Sequence, residues 1–243
     1  MKQERKSAQQ GAWSREPGAF VLAALLWGAM ATLNAAAAGD PDPQELLKVA
    51  RMASTSSEAA VRGHIRAGAA KSSFLLRVGE GKLRFAFDRP SRVFEVRLGD
   101  DSSGVYDSRG QPVKKGMQEP VAVGTDVTVE DLSLGFLYWP DARLLGKENV
   151  RGRGAWKIEL RPGKRGSEFA VVRVWLDEAS GALLRIEGFD WQGKLLRRFE
   201  VVSGQRIDGQ WMLKQMRIEK FSPENSSRPT GRSYLEILGK EDA

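Results

Sequence analysis

The sequence predicts a mainly β protein with a few helices. Three observations predict it. Apolar residues recur at every second position through most of residues 60–238, Gly, Asp and Asn punctuate these runs at hairpin spacing, and only two stretches carry a helical pattern. A period of two means sheet with one apolar face and one wet face. Turns as short as Gly79-Glu80-Gly81 mean that consecutive strands pair antiparallel.

The chain opens on a leader. Residues 1–18 are polar and include Lys2, Arg5, Lys6 and Arg15, residues 19–33 are apolar, and Asn34-Ala35-Ala36-Ala37-Ala38-Gly39-Asp40 follows. A basic start, an apolar stretch and small residues at Ala36 and Ala38 form a secretory signal peptide, expected to be cleaved after Ala38. An uncleaved anchor is the alternative, but the apolar run is about 15 residues against the roughly 20 that a span needs. Residues 39–243 are then expected to form a single domain, soluble after cleavage, most simply in a bacterial periplasm.

The first helix is expected over residues 40–52. Asp42 suits the N-cap, Pro43 the first helical position and Glu45 the positive end of the helix dipole. Leu46, Leu47, Val49, Ala50 and Met52 give it an apolar face, and Ser54-Thr55-Ser56-Ser57 breaks it. Strands are expected at 60–68, 72–79, 82–88, 92–98 and 103–108. A second set falls at 143–151, 154–162, 168–177, 182–190, 194–203, 211–221 and 232–238. In β-type runs such as Leu83-Arg84-Phe85-Ala86-Phe87, the residues Leu83, Phe85 and Phe87 share one face; Val172, Val174 and Leu176 share another. Turns fall at Asp177-Glu178-Ala179-Ser180-Gly181, Trp191-Gln192-Gly193-Lys194 and Ile207-Asp208-Gly209-Gln210. Between the two sets, residues 116–142 interrupt the pattern. Glu130-Asp131 can open a short helix over 131–139, which Pro140 ends.

Composition excludes several functions. The chain carries 38 Lys and Arg against 31 Asp and Glu, a mild excess spread along its length. Nucleic-acid binding calls for a concentrated basic face, so none is expected. There is no cysteine, hence no disulfide, and Gly39 stands where a bacterial lipoprotein would carry its lipidated cysteine. His64 is the lone histidine and reads as a polar-face strand residue. No metal and no cofactor are expected. No nucleophile motif of the G-x-S-x-G type occurs, and nothing singles out a carboxylate pair among the acids, so an enzyme is not expected.

Large apolar side chains stand out instead, among them seven Trp and ten Phe. Core packing accounts for them in one reading. In the other, a curved sheet encloses an apolar ligand cavity lined by such residues and closed by the two helical segments.

Two stretches resemble the LolA-like superfamily of periplasmic lipoprotein carriers. The first runs from Gly81-Lys82-Leu83-Arg84-Phe85 through Arg89-Pro90 to Val96. The second, Gly124-Thr125-Asp126-Val127-Thr128-Val129-Glu130-Asp131-Leu132, is similar to the GTDF-x-Y-EDL segment of a branch named for outer-membrane lipoprotein sorting, with Val127 and Val129 where that branch has aromatic residues. Val174-Trp175-Leu176-Asp177 and Gly209-Gln210-Trp211 continue the likeness. The resemblance implies a strongly curved antiparallel sheet, an unclosed β-barrel, with helices over its concave face. It implies a carrier or binding protein for lipidated proteins or other amphiphiles, a monomer whose partners are lipoprotein acyl chains or other lipid, with an inner-membrane donor and an outer-membrane acceptor. Leu83, Phe85, Phe87, Phe94, Trp175, Met212 and Met216 are then the expected cavity residues. Leu46, Leu47 and Phe136 are the expected lid residues, and Arg62 or Arg66 the arginine at the mouth. The alternative on the same fold is a non-transporting sensor that binds an envelope protein. Such sensors usually add a C-terminal domain, which the end at Ala243 disfavours.

Overall fold

A computed structural model describes residues 40–53, 58–207 and 210–241. The expected leader, the Ser54–Ser57 break and the Asp208-Gly209 turn lie outside these residues.

Helix α1 (Pro43–Ala53) begins where its cap predicts: the Gln44 backbone N–H donates to Asp42 Oδ1 at 2.9 Å. Five strands follow: β1 (Ala59–Ala67), β2 (Ala70–Gly79), β3 (Lys82–Phe87), β4 (Arg92–Leu98) and β5 (Ser103–Asp107). After the interruption come β6 (Asp141–Val150), β7 (Arg153–Arg161), β8 (Val171–Asp177), β9 (Leu183–Phe189), β10 (Leu195–Ile207), β11 (Gln210–Ser222) and β12 (Asn225–Lys240). Among the described residues they form one twelve-stranded antiparallel sheet, ordered β5-β4-β3-β2-β1-β12-β11-β10-β9-β8-β7-β6. Apart from β5 and β6, each strand pairs with its neighbours in sequence, and β1 pairs with β12. The ring lacks only a β5–β6 pairing, so the barrel is unclosed. The interruption between those two strands is the segment that fills the gap.

That segment differs from the single helix expected over 131–139. Helix α2 (Val129–Ser133) starts earlier, capped by Thr128. Leu134 then takes a left-handed backbone, φ 53°, and a separate 3-10 turn runs over Gly135–Tyr138. The Leu134 side chain is buried, and the reversal aims both Leu134 and Phe136 inward. The 3-10 turn packs against both β5 and β7. The turn thus spans from the free edge β5 to β7, while α1 packs on β6, the other free edge.

Strand β12 extends well before the expected 232–238. Pro229 argues against a central strand there. The structure resolves the conflict: β1 pairs only with Tyr234–Lys240, so residues 225–233 have a neighbour on one side alone, and Pro229 sits on an edge.

One apolar cluster runs over the inner face of all the long strands and takes in both helices, including Leu47, Ile65, Phe85, Leu132, Ile158, Leu176, Met212 and Met216. The outer face carries charge. Glu200 accepts from Arg185 at 2.6 Å, Arg217 at 3.0 Å and Arg151 at 3.2 Å, bridging three neighbouring strands and a turn. No helix among the described residues is long and apolar enough to cross a membrane.

Candidate functional site

The candidate site is the inner face where the sheet fails to close, together with the short elements that cover it. Sheet parity decides which side chains reach it. On β3, Leu83, Phe85 and Phe87 point inward and Arg84 outward. Phe94 of β4 joins them. Phe85 and Phe94 ring centroids lie 5.1 Å apart, Phe74 and Phe87 5.4 Å, so these rings pack on one another. Met212 and Met216 are buried in the same cluster, opposite Gln205 and Val201 of β10. These residues come together as one apolar surface. In the closed structure they fill space rather than line it.

Trp175 does not belong to that surface. Val172, Val174 and Leu176 of β8 face inward, so Trp175 between them must face outward. There it packs with Val150, Ala155 and Leu184, donates from Nε1 to Glu148 at 2.8 Å, and lies under Lys157. Arg62 and Arg66 likewise face outward, because Val61, Gly63 and Ile65 take the inner positions of β1. Arg62 is exposed. Arg66 forks onto Glu236 at 2.9 and 3.0 Å and stacks on Tyr234. His64 shares that outer face and pairs with Glu236 at 2.5 Å.

The lids are held mainly by apolar burial. Leu46, Leu47 and Ala50 of α1 and Phe136 of the 3-10 turn enter the apolar cluster. Polar ties between the two pieces are long: Gln44 Nε2 donates to the Pro140 carbonyl at 3.3 Å and Arg51 Nη1 to the Leu137 carbonyl at 3.4 Å. Helix α1 also leans on the β8–β9 turn. Gly181 has φ 70°, and a Cβ there would come within 2.6 Å of Val49.

Beside the lids, at the β5–β6 gap, is a cavity of about 540 Å³. Its walls are Ser103, Gly104 and Val105 of β5, Val113 and Met117 of the following loop, Glu130 and Ser133 of α2, Phe136 and Trp139, and the 162–169 segment with Lys164 and Phe169. That volume is in the range of small-ligand pockets.

The Gly124–Leu132 stretch proves to be the anchor of this wall. Gly124 has φ 73° and lies so near β2 that a Cβ would meet Ala70 at 2.7 Å. Asp126 accepts from Lys220 Nζ at 2.7 Å. Val127 and Val129 are fully buried in the main cluster, where smaller side chains than aromatic ones fit. Thr128 and Asp131 form a capping box: the Asp131 N–H donates to Thr128 Oγ1 at 3.1 Å, and the Thr128 N–H donates to Asp131 Oδ2 at 2.9 Å.

Sequence reasoning missed one residue here. Arg197 of β10 shares parity with Leu195, Phe199 and Val201, so it projects onto the apolar face. It is 7% exposed. Its Nε lies 3.6 Å from Asp131 Oδ2 and its Nη2 3.6 Å from Glu168 Oε1. Both distances exceed hydrogen-bond range. Arg197 Nε, Asp131 Oδ1 and Glu168 Oε1 are buried without a hydrogen-bond partner. Burial pushes the Asp131 carboxyl up to about 6 against the pull of Arg197, and burial also raises Glu168. The signal was legible: an arginine in register with an apolar face.

This fold, an unclosed curled antiparallel sheet with short helices over its inner face, is LolA-like. Three crystal structures match it with a TM-score of 0.57 each. One is a DUF1329 family protein from Desulfovibrio piger, 20% identical, covering 82% of this chain and 92% of that one. Another is a domain assigned to outer membrane lipoprotein sorting from Vibrio parahaemolyticus, 21% identical, covering 81% and 91%. A LolA superfamily protein from Nitrosomonas europaea is 14% identical, covering 82% and 92%. At these identities the likeness is one of fold. A family model described as "Uncharacterized protein" matches residues 108–233, just over half of the chain, and the chain belongs to that family. No curated protein matches.

Proposed function

We propose that the protein is a periplasmic carrier for lipidated proteins or other amphiphiles, serving outer-membrane lipoprotein sorting. It leaves the cytoplasm through the 1–38 leader, and residues 39–243 act as one domain. The observation that carries this reading is the unclosed apolar face, covered by two short helical elements next to a cavity. Acyl chains need apolar surface without directional bonds, since each methylene removed from water contributes about 0.8 kcal/mol. Leu83, Phe85, Phe87, Phe94, Met212 and Met216 supply that surface once Leu46, Leu47 and Phe136 withdraw. Lid and ligand then compete for the same face, and delivery to an acceptor requires their free energies to be close. The likeness to the Vibrio parahaemolyticus lipoprotein-sorting domain supports the same reading. We assign no catalytic role to the chain.

The test is native mass spectrometry of protein purified from its own periplasm, combined with uptake of a dansyl-labelled fatty acid. Co-purified lipid or lipoprotein and saturable uptake are expected. A protein that carries neither and takes up no probe, but captures an envelope protein, would favour the sensor reading.

A further inference from the structure

The sheet has two free edges, and only one is bare. Along β5 the chain's own loop runs back. The Asp107 N–H donates to the Gln111 carbonyl at 2.9 Å, the Val113 N–H donates to the Val105 carbonyl at 2.8 Å, and Pro112 lies in a bridge with Tyr106. Along β6, among the described residues, no backbone hydrogen bond reaches the strand apart from the ladder with β7. A bare edge is a template for another strand.

The outer face dictates what that strand must carry. One row of side chains runs from β6 to β11 with alternating charge: Arg143, Glu159, Arg173, Glu187, Arg198 and Glu219, each directly opposite the next. Opposite charges facing each other across strands stabilise a sheet, and like charges destabilise it. The row stops at Arg143. Glu159 is taken by Arg161 at 2.8 Å and by Arg173 at 3.0 Å, and Arg143 makes no ion pair among the described residues. Asp141, two residues away on the same face, makes none either. Lys147 and Glu148 of the same strand are committed, to Glu178 at 3.1 Å and Lys157 at 2.6 Å. Asp141 and Arg143 are both exposed, while Ala142 and Leu144 turn inward and pack against the main cluster.

An acid and a base placed symmetrically about Ala142 complement themselves. We propose that β6 is a homodimer interface, in which two copies pair antiparallel about a two-fold axis at Ala142 and Arg143 of each copy faces Asp141 of the other. The alternation then runs unbroken across the seam: Glu159 and Arg143, followed by Asp141 and Arg161 of the second copy. With β5 covered by its own loop, such an isologous contact closes at two copies. On the inner face Ala142 meets its own copy and Leu144 meets Pro140. The paired stretch is bounded at both ends. Beyond Leu144 the strand bulges, with Gly146 at φ 112°. Before Asp141, Pro140 has no N–H, and its carbonyl accepts from Gln44 Nε2 at 3.3 Å. The interface is therefore small and the dimer depends on concentration. The monomer implied by the family resemblance leaves this edge bare. A passenger peptide would need the same acid-apolar-base pattern, which a second copy supplies by symmetry. The pairing does not depend on what the cavity binds.

Sedimentation equilibrium of the exported protein over a range of concentrations reads the association, and the wild type should dimerise reversibly. Arg143→Asp sets acid against acid on both sides of the axis and should weaken association at least about tenfold; Asp141→Arg should do the same with bases. An equimolar mixture of these two variants should regain the dimer, because each supplies the charge the other lacks. The double swap, Asp141→Arg with Arg143→Asp, should regain it alone. Both side chains are exposed, so the fold should be kept in every variant, which circular dichroism checks. The chain has no cysteine, so a single one gives a second measure. Ala142→Cys, at the axis, should oxidise to a disulfide-linked dimer, whereas Asn149→Cys, past the bulge on the same strand, should not. A wild type that stays monomeric at every concentration overturns the interface. So do single variants that associate as tightly as the wild type, a mixture or double swap that fails to regain association, or Asn149→Cys cross-linking as readily as Ala142→Cys.

Discussion

The ring of Phe169 rests on Gly188, so closely that a Cβ on Gly188 would come within 2.6 Å of it. Phe169 is 4% exposed and forms part of the gap cavity's wall, so a backbone position in β9 sets the shape of that wall. Gly188→Ala should drive the ring into the cavity and destabilise the protein by about 1–3 kcal/mol. Adding Phe169→Leu should recover part of the loss. Urea midpoints of the two single variants and the double variant check this; strictly additive losses would refute the contact's importance.

Phe85 makes ring contacts with Phe74, Phe87 and Phe94. Phe85→Ala should cost about 3–5 kcal/mol. Phe85→Glu should abolish folding, since an unpaired carboxylate would be buried among rings. Circular dichroism at rising temperature separates this from a selective loss of probe uptake with the sheet intact, the outcome expected if Phe85 lined open space.

Glu200 is 5% exposed. Burial pushes its carboxyl up, but the hydrogen bond and charge of Arg185, with Arg217 and Arg151, outweigh this and hold it below the usual 4.5. A lowered native value stabilises the fold above the ordinary glutamate range, and the gain is lost as pH falls through the native value. Glu200→Gln should therefore cost about 1–3 kcal/mol at pH 7. The gap between variant and wild type should narrow as pH falls below the ordinary glutamate range. Denaturant titrations across pH 3–7 measure it.

Thr128→Ala removes the cap of α2 and should cost about 1 kcal/mol, while Thr128→Ser should be close to neutral. Because α2 is only five residues long, the loss should appear first as faster hydrogen exchange in 129–133, before any fall in the global midpoint.

Export should be accompanied by cleavage after Ala38. N-terminal sequencing of the exported protein should start at Gly39, and a full-length, membrane-retained product would count against the leader reading.

The sequence alone determined the mainly β class, the order of helix, five strands, interruption and seven strands, and the inner set Leu83, Phe85, Phe87, Val172, Val174 and Leu176. It could do so because strand parity and turn residues are local, and a period of two is written directly in the chain. Parity also sets Trp175 opposite to Val172, Val174 and Leu176, and Arg197 on the side of Leu195, Phe199 and Val201. What only the tertiary structure decided is non-local. The β1–β12 pairing, the missing β5–β6 pairing and the edge position of Pro229 depend on strands far apart in sequence. The meeting of Asp131, Glu168 and Arg197 depends on the curl that brings α2, the 162–170 segment and β10 to one place. No periodicity records that curl, because it arises from contacts between strands and covering elements far apart in sequence, β5 and β7 with the 3-10 turn and β6 with α1.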